Sequence, residues 1–383
     1  MKIALAIKHY SLSKGGAERY AVHLSTALAE KGHDVHVFAL QFDLHPSYPV
    51  KPELVHVNHW PSWWRNLSFA MAFDRLVQKR NFDIICGLTQ VFRQDIHRMG
   101  GGIYKHWMHI RYPQTIHRSA MYILNPVHMV NLYLEKKIYQ EGNYRKIITN
   151  SHLCKEQASR YYQVPEQRIE VVANGIDHNK FNPEGKYQIR KEIRRNLGLS
   201  ANTPLLLFVS NNWKRKGLQV ILRALHYLGE SDFSFHLLVI GKGKPGAFRR
   251  LVKSLGLANR IHFIGPTRNV GDFYRASDLF VLPTLYDPSA TVCLEAMACG
   301  IPVITTSSNG ASEIIQEGVN GYIQRDPTDE KELAKLIEIC SDNRILKDMG
   351  KAARETSLPF SISKNVQGAL EVFERVLRER SKY

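Results

Sequence analysis

The chain has 383 residues, too many for one ordinary core, so two domains are expected. With 44% hydrophobic and 23% charged residues it is not a disordered chain, and its net charge of +17 calls for an anionic partner: nucleic acid, a phosphorylated substrate or an anionic membrane surface. Its five cysteines (Cys86, Cys154, Cys293, Cys299 and Cys340) form no CxxC pair, which argues against a disulfide framework or zinc knuckle and favours a reducing cytoplasm.

The opening apolar run "KIALAI" reads as a strand and breaks at Lys8, far short of a signal peptide or a spanning helix. A glycine turn follows, then "AERYAVHLSTALAEKGH" with apolar residues at helical spacing, then the strand "DVHVFAL". "FDIICGL" and "KIITNS" read as further strands. This strand–helix–strand order predicts an α/β fold with a parallel sheet covered on both faces.

Between Asp95 and Glu135 there is no carboxylate, while the segment carries four Arg/Lys, five His and many aromatics. It reads either as a helical insertion over the core or as a monotopic patch within 103–140, with aromatics and Leu/Met dipping into an anionic membrane surface. "WPSWWRNLSFAMAF" (60–73) would extend such a patch.

A second series begins after "IEVVANGID": "PLLLFVS", "FHLLVIG", "IHFIG", "DLFVLP" and "PVITT" look like successive buried strands. The division is therefore expected as 1–177, 178–365 and a terminal helix, 366–383. That final helical stretch has no strand after it, so it either caps the second domain or crosses back to the first.

Three motifs carry chemistry. "SKGGAER" (13–19) places Gly15 and Gly16 between the first strand and first helix, where a ligand could approach the backbone and a helix N-terminus favours negative charge. Any tight strand-to-helix turn could use such a pair. It is neither GxGxxG nor a Walker pattern, so the nicotinamide and P-loop readings lose support. "SNNWKRKGLQVIL" (210–222) sets Arg215 and Lys216 before a helix start, either as a diphosphate clamp or as a solvated basic turn. "DLFVLPTLYDPSATVCLEAMACGIPV" sets Asp287 in a loop and Glu295 about two turns into the following helix. Backbone N–H groups from Ser289 through Ala290, Thr291 and Val292 would then face a bound phosphate or sugar.

Together "GGAE", "NGID…F.P", "KRKG", "IGPT", "ASDLFVLPT" and D-x7-E followed by "AMACGIPVITT" make the chain resemble the retaining glycosyltransferases of family 4. The resemblance runs nearly the whole length and is most specific over 174–325. Within the family, "QDIHRMGGGIYKHW" and the basic aromatic segment are similar to the lipopolysaccharide core glucosyltransferases that act on heptose. It implies a GT-B fold, two Rossmann-like doubly wound domains facing a central cleft. It also implies a nucleotide-sugar co-substrate, most often UDP-linked, a glycan or glycolipid acceptor, and no metal or resident cofactor. Placement would be cytoplasmic, on the inner face of the membrane, with no nucleic acid bound.

By position, the resemblance implies that Arg215 and Lys216 neutralise the diphosphate and that Glu295 accepts from the ribose hydroxyls. Asp287 would hold the transferred sugar, Gly16 would close on the diphosphate, and the base would lie against "IGPTRN" (264–269), which contains Thr267 and Arg268. Two departures stand out. Asp287 occupies a position where the family usually has Glu. Gly100, Gly101 and Gly102 stand where an acid is expected, leaving Asp95, His97 and His106 as acceptor-side candidates.

The expected chemistry is retaining transfer with no protein nucleophile, the departing phosphate oxygen taking the acceptor's proton. Asp287 as a covalent nucleophile is the alternative mechanism. A nucleotide-sugar epimerase, a nucleic-acid-binding protein and a non-catalytic protein binding anionic surfaces are the rival functions.

Overall fold

The computed structural model describes all residues except 13, 44–48, 59, 141, 230–234 and 381–383. The chain forms two compact units, Met1–Asn174 with Ile362–Tyr383, and Gly175–Ser361.

In the first unit seven strands pair in the spatial order Lys51–Leu54, Asp34–Ala39, Lys2–Ala6, Ile84–Gly87, Ile96–Met99, Lys146–Thr149, Ile169–Val171. Every pairing is parallel. A parallel sheet must be covered on both faces, and strand alternation sorts the side chains accordingly. Ile3 and Leu5 point into a core with Leu24 and Leu28 of the helix Gly16–Glu30, whereas Ala4 and Ala6 meet Phe69 and Phe73 of the helix Ser62–Gln78.

The helix Ile362–Arg380 packs Val366, Ala369, Phe373 and Val376 into the same core as Ile3 and Leu5. Its apolar residues recur at helical spacing, and full burial of a side chain such as Phe373 is worth about 1.5–3 kcal/mol. The terminal helix thus belongs with the first unit. It begins at Ile362 rather than 366, and the first division falls at Asn174/Gly175 rather than 177/178.

The carboxylate-free segment also differs from expectation at its start. Ile96–Met99 is a central strand, and only then come three helices, Tyr104–Arg111, Thr115–Leu124 and Pro126–Ile138. Glu135 ties the third of these to the first: buried, it accepts from the backbone N–H of Tyr104, from Lys105 N–H at 2.9 Å and from the Tyr162 hydroxyl at 2.6 Å. Burial raises its pKa to about 6 despite those donors.

In the second unit six parallel strands run in the order Ile261–Gly265, His236–Ile240, Leu205–Val209, Leu279–Leu282, Val303–Thr306, Gly321–Gln324. Their near-continuous apolar sequences fit a sheet buried on both sides. All five cysteines are buried free thiols. Among the described residues no helix is long and apolar enough to cross a membrane.

Candidate active site

In open parallel sheets ligands bind beyond the carboxyl ends of the strands. In the second unit three adjacent strands, Leu205–Val209, Leu279–Leu282 and Val303–Thr306, deliver the motif residues to that edge. The turn after Val209 is locked locally. The Trp213 indole N–H donates to Ser210 O at 2.9 Å, and Asn212 Oδ1 accepts from Arg215 N–H at 3.2 Å. Gly217 then starts the helix Leu218–Leu228 with φ of 80°, and a Cβ there would collide with the carbonyl of Pro283. Only glycine fits this close approach. Leu285 N–H donates to Arg215 O at 2.9 Å, stitching the turn to the loop that carries Asp287.

The result is a direct ion pair between Lys216 Nζ and Asp287 Oδ2. Asp287 is held from several sides. Its Oδ1 accepts from Ser289 N–H at 3.1 Å, its backbone N–H donates to Ser308 O, and its carbonyl accepts from Gly310 N–H. Burial, reinforced by Arg215, brings the Lys216 pKa down from 10.5 to about 7, with Cys293 acting weakly the other way. Burial likewise lowers Arg215, although a guanidinium stays charged.

Glu295 is buried in the second turn of the helix Thr291–Ala298, and its Oε2 accepts from the Tyr274 hydroxyl at 3.1 Å. Ala290 precedes that helix without a side-chain cap, so the first turn's N–H groups present positive charge at the sheet's edge. Asn309 sets the entry angle, its Oδ1 accepting from both Ala290 N–H (3.0 Å) and Ala311 N–H (3.1 Å). Asn309 and Tyr274 were not among the expected site residues. An Asn-Gly pair just after the strand "VITT" hints at the first, whereas nothing in "DFYRASD" singles out Tyr274. Thr267 and Arg268 lie just beyond the strand Ile261–Gly265. The Thr267 hydroxyl accepts from Asn269 N–H at 3.1 Å, and Arg268 is exposed. The structure thus gathers Arg215, Lys216, Asp287 and the helix carrying Glu295 around adjacent strand ends.

The first-unit candidates do different work. Gly16 begins its helix, and a Cβ there would meet nothing within 4 Å, so open space adjoins Gly16, whereas a Cβ on Gly15 would come within 2.7 Å of Glu18 Oε2. Ser13 of the same motif lies outside the described residues. Asp95 sits before its strand, at the amino end of the sheet. It accepts from Ile85 N–H at 2.9 Å and lies 3.4 Å from Arg145, so its carboxylate braces strands at the edge opposite a ligand. His97 is buried within the strand, with Nδ1 3.2 Å from Gln94 Oε1 and its ring edge-on to Tyr139. Burial, then Arg98, lowers its pKa to about 3. A neutral ring with those neighbours is a packing element, not a poised base. His106 hydrogen-bonds the Tyr161 hydroxyl at 3.1 Å and is lowered to about 4, mainly by burial.

Two family models match the chain: Glycosyltransferase Family 4 over residues 14–180 and Glycosyl transferases group 1 over residues 189–356. Among curated relatives, the N-acetyl-alpha-D-glucosaminyl L-malate synthase of Bacillus anthracis is 27% identical, covering 99% of this chain and 98% of its own. The lipopolysaccharide glucosyltransferase WaaG of Escherichia coli is 24% identical over 84% of each chain. A crystal structure of WaaG matches with a TM-score of 0.84 at 20% identity, covering 97% of this chain and 99% of that one. Anabaena HepE, solved with UDP-glucose, matches at 0.73 and 20% identity over 97% and 99%. These structures share the GT-B fold with this chain.

Proposed function

The chain belongs to the glycosyltransferases that join a family 4 domain to a group 1 domain, and on that premise we propose that it transfers a hexose, glucose or a close relative, from a UDP-linked donor to a cell-envelope glycan or glycolipid with retention of configuration. The observation that carries the reading is the second unit's carboxyl edge, where Arg215, Lys216, an uncapped helix start and buried Glu295 converge. A nucleoside diphosphate matches that set, with two cations and helix amides for its phosphates and a carboxylate for its ribose.

In this reading Lys216 exchanges Asp287 for the donor's phosphate, and the released Asp287 carboxylate holds hydroxyls of the sugar. Glu295 takes the ribose, and the loop with Thr267 and Arg268 flanks the base. The C1–O bond breaks as charge passes to the diphosphate. The acceptor oxygen bonds to C1 from the same face, and its proton moves to the departing phosphate oxygen. Arg215, Lys216 and the helix amides carry the leaving group's charge, so no metal is required. HepE's complex with UDP-glucose supports the donor class, and the likeness to WaaG supports a lipopolysaccharide-type acceptor. The exposed apolar helix Thr115–Leu124, flanked by cations, supports work at the cytoplasmic membrane surface.

A thermal-shift screen of nucleotides and nucleotide sugars tests this, with activity measured in excess EDTA. Selective stabilisation by UDP and one UDP-sugar is expected, with transfer insensitive to the chelator. No response to any nucleotide would overturn the reading.

A further inference from the structure

Arg98 occupies the strand Ile96–Met99 and is only 4% exposed, with its guanidinium 4.5 Å over the ring of Tyr20. Nη2 donates to Asn174 Oδ1 at 3.0 Å, whereas Nε and Nη1 are buried without a hydrogen-bond partner. Burying a guanidinium that cannot shed its proton is costly unless its donors are met by acceptors and its charge by an anion. Cys86, on the adjoining strand, is no counter-ion, because burial pushes its thiol up to about 12 and keeps it neutral. Asp95, the nearest acid along the chain, is committed at the other end of the strand.

The surroundings show where the missing partner would sit. A Cβ built on Gly100 would meet only Arg98 Nη1, at 3.8 Å, and one on Gly101 would meet nothing within 4 Å. Nη1 therefore reaches the carboxyl edge of the sheet beneath a glycine run with open space beside it. The neighbouring strand pairs with Met99 opposite Thr149, which sets Asn150 level with Gly100. Asn150 is 5% exposed, and its Oδ1 also has no partner. Buried polar groups on two adjoining strands, Arg98 and Asn150, thus stand unsatisfied near the edge where parallel sheets take ligands, with the unpartnered Tyr20 hydroxyl on the ring under the guanidinium.

We propose that Arg98 and Asn150 form an oxyanion-recognising subsite for the acceptor: Arg98 takes a phosphate or carboxylate on the acceptor, and Asn150 takes a hydroxyl beside it. A neutral sugar could satisfy the hydrogen bonds but would leave the buried charge unopposed, so the acceptor is anionic near the hydroxyl that receives the hexose. This rests on the transferase reading for the word acceptor. The anion site itself stands on the geometry of the first unit.

The test uses the full chain with UDP held saturating, so that added anions cannot report on the donor site. Inorganic phosphate is titrated in one arm and acetate in the other, followed by calorimetry on wild type, Arg98→Gln and Arg98→Lys. Wild type should bind one of the two anions, phosphate marking a phosphorylated acceptor and acetate a carboxylated one. Arg98→Gln should weaken that binding about tenfold or more, and Arg98→Lys, which keeps the charge on a shorter arm, by a smaller factor. Should Arg98→Gln not fold, the Lys variant decides. Equal anion binding by wild type and the variant that folds, or no binding of either anion by wild type, overturns the subsite. The preceding UDP titration fails independently if the transferase reading is wrong.

Discussion

Lys216 and Asp287 are paired directly: the ammonium at the end of one strand's turn rests on the carboxylate at the end of the next. Each neutralises the other in a largely buried place, so neither charge is left exposed to low dielectric before a ligand arrives. In the proposed reading a diphosphate would compete with Asp287 for the same ammonium. Replacing Lys216 with Ala should therefore weaken UDP about 10- to 100-fold, the worth of one charge-assisted contact. It should also lower the melting temperature, because Asp287 loses its partner. Calorimetry and thermal unfolding check both, and undiminished UDP affinity would remove Lys216 from the clamp.

The same pair should make donor binding sensitive to pH if the clamp assignment holds. Burial and Arg215 bring Lys216 to about 7, so part of the population is uncharged at neutral pH. UDP favours the ammonium, so binding takes up a proton, and affinity declines as pH rises above about 7. Asp287→Asn removes the opposing carboxylate and should start that decline about one pH unit lower. Calorimetry at pH 8 in buffers of different ionisation enthalpy measures the uptake directly. Zero uptake would contradict this account.

Glu295 can be separated from the clamp by ligand choice. Its carboxylate accepts from Tyr274 and lies one turn inside a helix whose open end is assigned to phosphate. Glu295→Gln should weaken UDP and UMP about tenfold, the worth of hydrogen bonds to a charged acceptor. Pyrophosphate, which has no ribose, should bind the variant as it binds wild type. Parallel losses for all three ligands would reassign Glu295 to general scaffolding.

The strands that were legible in the sequence are those with nearly continuous apolar runs, such as "KIALAI" and "PLLLFVS", since burial on both faces favours that pattern. Lys51–Leu54 was hidden by Pro52 and Glu53 at the sheet's edge, and Ile96–Met99 by the buried His97 and Arg98. The grouping of Arg215, Lys216, Asp287 and Glu295 was readable because these residues sit beyond strand ends in short, specific strings. The Lys216–Asp287 pairing was not, because it depends on how two turns from separate strands are stitched together through Arg215 and Leu285. Asp95 misled for a related reason: a residue's place at the amino or carboxyl end of a strand appears only once the strand itself is recognised.

His97 provides a test of structural against catalytic work. Its folded pKa of about 3 lies below the ordinary 6.5, so the folded ring stays neutral while the unfolded one protonates. Its contribution to stability is complete above pH 6.5 and is lost as pH falls from there toward 3. At pH 5 the loss is about 2 kcal/mol. In urea titrations at pH 7.5 and 5.0, His97→Gln should lose less stability on acidification than wild type. Transfer should stay within about threefold, where loss of a general base would cost about 100-fold or more.

The helix Thr115–Leu124 has no buried residue, and it leaves Ile116, Ile123 and Leu124 exposed by 85%, 72% and 73%. Met129 and Tyr133 on the next helix are half-exposed. Lys105, Arg111 and Arg118 provide cations in the same segment, with Arg111 and Lys105 lying over tyrosine rings. Apolar side chains at this exposure gain about 1.5–3 kcal/mol each on full burial, and each cation near an anionic surface adds about 1 kcal/mol. Ile116→Ser with Ile123→Ser should therefore lower binding to phosphatidylglycerol-containing vesicles at least about tenfold at any salt. Neutralising Lys105, Arg111 and Arg118 should instead weaken binding at 0.1 M salt and leave little further loss at 0.5 M, because screening has already removed their share. Flotation of the purified variants at both salts distinguishes the two contributions. Vesicle binding unchanged in both variants would detach this segment from the membrane.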